Sequence, residues 1–194
     1  MSLQLDKDLH YVGKGKERTC YVHPEDPQIA IKINHSEINK QTKRELKYYR
    51  KLTRRKNLDY THIPRYLGSI KTNYGKGQMY NLIRDYDDEI SRSLLDYLEE
   101  GIPLAQFEDD LEKLRRSFVK NQIIFSYDMS AQNILYKKTP HERVLVVIDG
   151  LGDNVFIPWL NVFKRERLKK IDRRWNHFIT RLRQQAVNIE SNST

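Results

Sequence analysis

The sequence predicts an α+β chain of two lobes: a five-stranded antiparallel N-terminal lobe carrying one helix, then a short, mainly helical C-terminal lobe. Three observations predict it. Five short β-prone runs, bounded by glycine, proline and asparagine turns, precede residue 86. One helical stripe, Leu46, Tyr49 and Leu52, interrupts them after the third run. Beyond it, apolar residues recur at helical spacing, as Phe107, Leu111, Leu114 and Phe118, and again as Leu168, Ile171, Trp175, Phe178 and Leu182. A length of 194 residues allows one large domain or two small lobes. The acidic connector Asp85-Tyr86-Asp87-Asp88 divides the chain into an N-terminal lobe, 1–86, and a helical lobe, 87–194.

The elements follow in order. His10–Gly13, Thr19–Val22 and Ile29–Ile33 read as strands, with Gly13-Lys14-Gly15 between the first two and Pro24-Glu25-Asp26-Pro27 turning the second into the third. Glycines at such a turn let backbone N–H groups approach a phosphate; a plain hairpin explains two glycines as well. A third glycine is missing, with Arg18 in its place. Strand rather than helix follows the glycines, which disfavours a dinucleotide fold, and no Walker A pattern occurs. Ser36 can cap a helix running to about Arg54. Glu45 borders that helix's apolar stripe, where an unpaired carboxylate is costly, so Lys32, in the apolar strand Ala30-Ile31-Lys32-Ile33, is its natural partner. An exposed Lys32 and a surface Glu45 are the bland alternatives.

Tyr66–Lys71 and Met79–Arg84 form a hairpin about Asn73–Gly77. Leu94, Leu95 and Leu98 mark a small helix ended by Gly101 and Pro103. A longer helix leads into Ile123-Ile124-Phe125 and the stretch that carries the chemistry. There Asp128 and Asn133 stand in a loop before one β-prone run, and Asp149-Gly150 ends a second, Val144–Ile148. A hairpin of these two runs brings Asn133 beside Asp149, and an amide oxygen with a carboxylate makes hard ligands suited to Mg²⁺. Asp128 is then a free carboxylate at the loop entrance. Polar residues that only make turns would give the same pattern.

Composition narrows the partners. The net charge of +9 suggests an anionic partner. The single cysteine, Cys20, excludes an internal disulfide and fits a reducing, cytoplasmic setting. The N-terminus lacks a signal-peptide core, and Asp149 and Asp153 interrupt the best apolar run, so no transmembrane segment is expected. The histidines show no zinc spacing. Between Lys164 and Arg183 nine Lys or Arg stand against Glu166 and Asp172, +7 of the chain's +9. A core-packing helix with a solvated basic face explains this, as does docking on an anionic substrate or lipid surface. Nucleic acid is disfavoured, because no base-reading motif accompanies the charge. The tail from Asn188 is expected to fray.

Taken together, Gly13/Gly15, Lys32, Glu45, the Asp85 connector, Asp128, Asn133 and Asp149 follow the order of kinase-like folds. The chain further resembles the YrbL family of the PhoP regulatory network. Gly13-Lys14-Gly15, the run from Cys20 to Asp26, Ile31-Lys32-Ile33, Arg44–Tyr49, Ile63-Pro64-Arg65-Tyr66 and Gln132–Leu135 carry that resemblance, over about residues 9–180. A kinase-like reading assigns Gly13, Lys14, Gly15 and Lys32 to the phosphates of ATP and Glu45 to orienting Lys32. It assigns Asn133 and Asp149 to Mg²⁺, and Asp128 to the proton of an attacking hydroxyl. Ser126-Tyr127 replaces the usual His-Arg before Asp128, Gly150 replaces the Phe after Asp149, and about 45 residues follow Asp149. A small-molecule, sugar or envelope-related acceptor suits so compact a form better than a protein. The alternative is a kinase-like regulatory or binding protein without catalysis.

Overall fold

The computed structural model describes residues 2–36, 40–152 and 164–192, apart from the side chains of residues 40 and 41. Strands β1 (Tyr11–Lys14), β2 (Arg18–His23) and β3 (Asp26–Asn34) are followed by helix α1 (Lys40–Thr53), then β4 (Tyr66–Thr72) and β5 (Gly75–Asn81). They form one five-stranded antiparallel sheet in the order β1-β2-β3-β5-β4. The expected capping of α1 by Ser36 involves residues 37–39 and lies outside the described residues, as does Asp153.

Side chains alternate across a strand, so the residues of β3 divide between two environments. Ile31 and Ile33 join Tyr21 and Leu5 in a small hydrophobic cluster. The N-terminal segment is held there by Asn73, whose Oδ1 accepts from Leu5 N at 2.8 Å and whose Nδ2 donates to Leu5 O at 3.0 Å. Ala30 and Lys32 point the other way, toward α1 and the second half of the chain. The β4–β5 turn is tighter than the sequence suggests. It is made at Asn73-Tyr74, and Gly75 to Gly77 belong to β5 rather than to the loop. The reason is steric: a Cβ on Gly77 would lie 2.4 Å from Ile31 Cγ2, so only glycine lets β5 pass β3 at this register.

The second half begins with α2 (Leu94–Glu99), whose start is fixed by a capping box between Ser93 and Asp96. After a 3-10 turn at Leu104–Phe107 comes α3 (Glu108–Asn121). The hairpin β6 (Ile134–Lys138) and β7 (Arg143–Val147) pairs as expected, and α4 (Lys164–Asn192) closes the described chain. Helix α4 continues through Asn192, so the fraying expected from Asn188 is not what is found. The main hydrophobic cluster draws on both halves: Tyr49, Leu52, Ile63 and Tyr80 pack with Leu94, Phe118, Phe125, Leu145 and Phe178. No described helix is long and apolar enough to cross a membrane.

Candidate functional site

Two strand ends create the site. Pairing of β6 with β7 sets Ile134 opposite Val147, and Ile148 N donates to Asn133 O at 2.9 Å. Asn133, the last residue of the short 3-10 turn Ala131–Asn133, therefore lies alongside the segment that leads into Asp149. Gly150 follows with φ +75, a conformation glycine adopts without a side-chain clash. Its carbonyl accepts from Ser126 N at 2.6 Å, and Phe125 bridges to Leu151. The loop bearing Asp128 thus departs from the turn bearing Asp149, and Asp128 itself is exposed.

Lys32 reaches this place from β3. Its side chain is 12% exposed, so the solvent-facing alternative is ruled out. Nζ donates to Ile148 O at 2.7 Å, stands 4.0 Å from Asp149 Oδ2 and lies 5.4 Å from the centroid of the Tyr80 ring. The expected Lys32–Glu45 ion pair is replaced by another. Glu45 projects from α1 into the same space and is buried, but its ion-pair partner is Arg18, with Nη1 2.9 Å from Oε2 and off the hydrogen-bond axis. The same guanidinium grips Asp149 through Nη2, 2.6 Å from each carboxylate oxygen. Arg18, in the sequence only the residue in place of a third glycine, joins the two carboxylates.

The electrostatics follow from four charges in a partly closed space. Burial opposes ionisation of Asp149, but Lys32 and Arg18 outweigh it and hold its carboxyl well below the usual range. Burial likewise works against the charge of Arg18, and Glu45 and Asp149 more than restore it. Glu45 goes the other way. Burial and the neighbouring Asp149 push it up to about 7, against the attraction of Arg18 and Lys32. A layer of tyrosines backs the cluster: Tyr49 meets Tyr80 edge-on at 5.1 Å, and Tyr66 lies 5.4 Å from Tyr80.

Gly13, Lys14 and Gly15 lie at the β1–β2 turn, where Gly15 N donates to Arg18 O at 2.8 Å. Neither glycine has positive φ. A Cβ on Gly13 would meet nothing within 4 Å, and one on Gly15 only Arg18 O at 3.6 Å. The fold alone does not demand glycine at either position.

Two further residues escaped the sequence reading. Arg174 of α4 is buried at 4% exposure. Its Nη1 donates to Phe125 O and, at 3.3 Å, to Gly152 O, so α4 grips the chain just before the Asp128 loop and just after Asp149-Gly150. His177, one turn on, stacks on Tyr127 with ring centroids 3.9 Å apart. The apolar stripe of α4 could have hinted at Arg174, which lies beside Trp175 on it. Nothing in the sequence pairs His177 with Tyr127.

An antiparallel five-stranded sheet with one inserted helix, followed by a mainly helical half with a two-stranded hairpin, defines a kinase-like fold. The structure is similar to that of a protein kinase, Rad53 1–466 in complex with AMP-PNP, with a TM-score of 0.53. The two share 16% sequence identity over 84% of this chain and 50% of that one, so this chain spans about half the Rad53 chain. Within that class the family is defined by sequence. The chain belongs to the family described as PhoP regulatory network protein YrbL, which it matches over residues 3–183. It is 35% identical over 178 residues to YrbL of Escherichia coli (strain K12), covering 87% of this chain and 82% of that protein. The identity and coverage are the same for YrbL of Shigella flexneri.

Proposed function

We propose that the chain is an ATP- and Mg²⁺-dependent phosphotransferase acting on a hydroxyl acceptor. The observation that carries this reading is the place of Lys32, drawn inward to Ile148 O at 2.7 Å and to Asp149 at 4.0 Å, and in register through Cys20 with Gly13 of the glycine turn. An ammonium so placed suits the α- and β-phosphates of a nucleotide. Glycines that the fold does not require suit the close approach of a ligand to the turn. The similar Rad53 structure holds AMP-PNP, a nucleotide, which agrees with this use of the fold.

The side chains also fit a magnesium ion. Asn133 and Asp149 offer hard oxygens, and Asp149 already draws a cation to both of its oxygens, the Arg18 guanidinium. A bound Mg²⁺ would neutralise phosphate charge. Asp128 would accept the proton of the attacking hydroxyl as its oxygen bonds to the γ-phosphorus; the bond from that phosphorus to the bridging oxygen breaks, and ADP leaves with the electron pair. We assign the acceptor to small anionic compounds, sugar-like or envelope-related. Tyr127, next to Asp128, stacks on His177, and Arg173 and Arg181 stand one helical turn to either side of His177. The second reading, a kinase-like protein that binds without catalysis, is favoured by one feature: Arg18 holds the carboxylate that the metal ion needs.

Thermal unfolding with ATP and Mg²⁺ tests the nucleotide site. A ligand at 100 times its Kd stabilises by about 2.7 kcal/mol, here a rise of about 5–10 °C in Tm. The rise is expected in the wild type and lost in Lys32→Ala and Asp149→Ala. No rise in a folded wild type would overturn the reading, and a rise with no phosphate transfer to any offered acceptor would favour binding without catalysis.

A further inference from the structure

Arg18 has no part in the chemistry above, yet it is in close contact with both carboxylates of the site. Its side chain is 10% exposed, and one terminal nitrogen lies 2.6 Å from both oxygens of Asp149 while the other faces Glu45 at 2.9 Å. Three consequences follow from this one side chain. The carboxylate assigned to the metal ion is taken up on both oxygens. Glu45 is turned to Arg18 and away from pairing with Lys32. Lys32 in turn spends its closest bond, 2.7 Å, on the carbonyl of Ile148.

A guanidinium and a divalent cation cannot both occupy the same face of one carboxylate, since they compete for its lone pairs and repel each other. A guanidinium does, however, pair with phosphate oxygens through the same fork it offers to carboxylates. Arg18 opens β2 three residues after Gly15, whose N–H donates to the Arg18 carbonyl at 2.8 Å, and its side chain reaches the same carboxylates that Lys32 approaches, where a polyphosphate would lie. Its charge persists in the buried setting, because Glu45 and Asp149 sustain it.

We propose that Arg18 is a latch displaced by nucleotide. In the free chain it holds Asp149 and Glu45; when a nucleoside polyphosphate binds, Arg18 moves to the phosphate oxygens and releases Asp149 to the metal ion and Glu45 to Lys32. The inference rests on the nucleotide reading of the same site. It makes metal binding conditional on nucleotide, and Arg18 a phosphate ligand of the loaded state.

The test uses Mn²⁺ as a spectroscopic stand-in for Mg²⁺, with free Mn²⁺ measured by electron paramagnetic resonance, and ADP binding measured separately in EDTA. In the wild type, Mn²⁺ should bind weakly without ADP and at least tenfold more tightly with it. In Arg18→Gln, Mn²⁺ should bind nucleotide-free protein at least tenfold more tightly than in the wild type, and Arg18→Gln/Asp149→Asn should abolish the gain. ADP in EDTA should bind Arg18→Gln about tenfold more weakly than the wild type. Arg18→Lys keeps a charge without the fork and should fall between on both measurements, which covers the case in which Arg18→Gln does not fold. Equal Mn²⁺ affinity in nucleotide-free wild type and folded variant overturns the latch, and equal ADP affinity in EDTA overturns the phosphate role. ADP that binds no form of the protein overturns the nucleotide reading instead, and a gain in Mn²⁺ affinity would then show the latch acting on the metal ion alone.

Discussion

Glu45 is the residue where burial and charge disagree most. Its carboxyl faces Asp149 and Arg18, with Lys32, Tyr49 and Tyr80 around it, and its pKa is pushed up to about 7 from an ordinary 4.5. The folded chain therefore keeps a proton that the unfolded chain releases. Stability from that proton is fully present below about pH 4.5 and is lost as pH rises through about 7, a change of about 3 kcal/mol at most. Asp149 contributes in the opposite sense, since its folded-state pKa is depressed, and its contribution is lost only on strong acidification. Between pH 5 and 8 Glu45 therefore adds a downward slope to stability. The Tm of the nucleotide-free wild type should fall across this range, and Glu45→Gln, which resembles the neutral acid in shape, should flatten the curve. An unchanged slope in Glu45→Gln would assign the titration to another group.

At the scale of elements, what could be read from the sequence was whatever periodicity and order control. The runs around Lys32, Glu45 and Asp149 have patterns that fix element type and facing side, and chain order alone brings them into one site. The β6–β7 hairpin was legible because Asn133 and Asp149 flank two apolar runs joined by a short turn. The partner of Glu45 was not. A stripe shows that Glu45 borders a buried face but not which long cation reaches it, and Arg18 extends across the sheet from β2 to reach both carboxylates. The end of the β4–β5 turn was missed for a related reason. Glycine at Gly75 and Gly77 looks like loop, whereas Gly77 serves a strand that passes within 2.4 Å of the Ile31 branch methyl for any added Cβ. Ile31 is fully buried and its β-branched side chain has little freedom to move aside. Gly77→Ala should therefore destabilise by about 1–3 kcal/mol through overpacking, and lower Tm by about 2–4 °C per kcal/mol. Gly13→Ala, which meets nothing within 4 Å, is the control and should leave Tm unchanged in the absence of ligand.

At the scale of the whole molecule, the site depends on α4, an element that contributes no candidate catalytic group. The helix packs Ile171, Trp175, Phe178 and Leu182 into the main core, and Trp175 meets Phe125 edge-on at 6.2 Å. Arg174 stands among these apolar side chains, and its Nη1 donates to Phe125 O and Gly152 O, which bracket the Asp128 loop and the Asp149-Gly150 turn. Burying a guanidinium is costly, so its presence marks backbone that the fold must hold in register. Replacing it with Met keeps much of the volume and leaves two carbonyls short of a donor. Hydrogen bonds from charged groups contribute about 1.5–3 kcal/mol, so Arg174→Met should destabilise by about 2–4 kcal/mol. The distribution of that loss is the sharper test. Amide hydrogen exchange should rise most at residues 123–128 and 150–152 and little in β1–β5, and Arg174→Lys should restore part of the protection. Exchange that rises evenly along the chain would make Arg174 a general packing residue and leave the two site segments held by their own pairing, Ser126 N to Gly150 O and Gly152 N to Ile124 O.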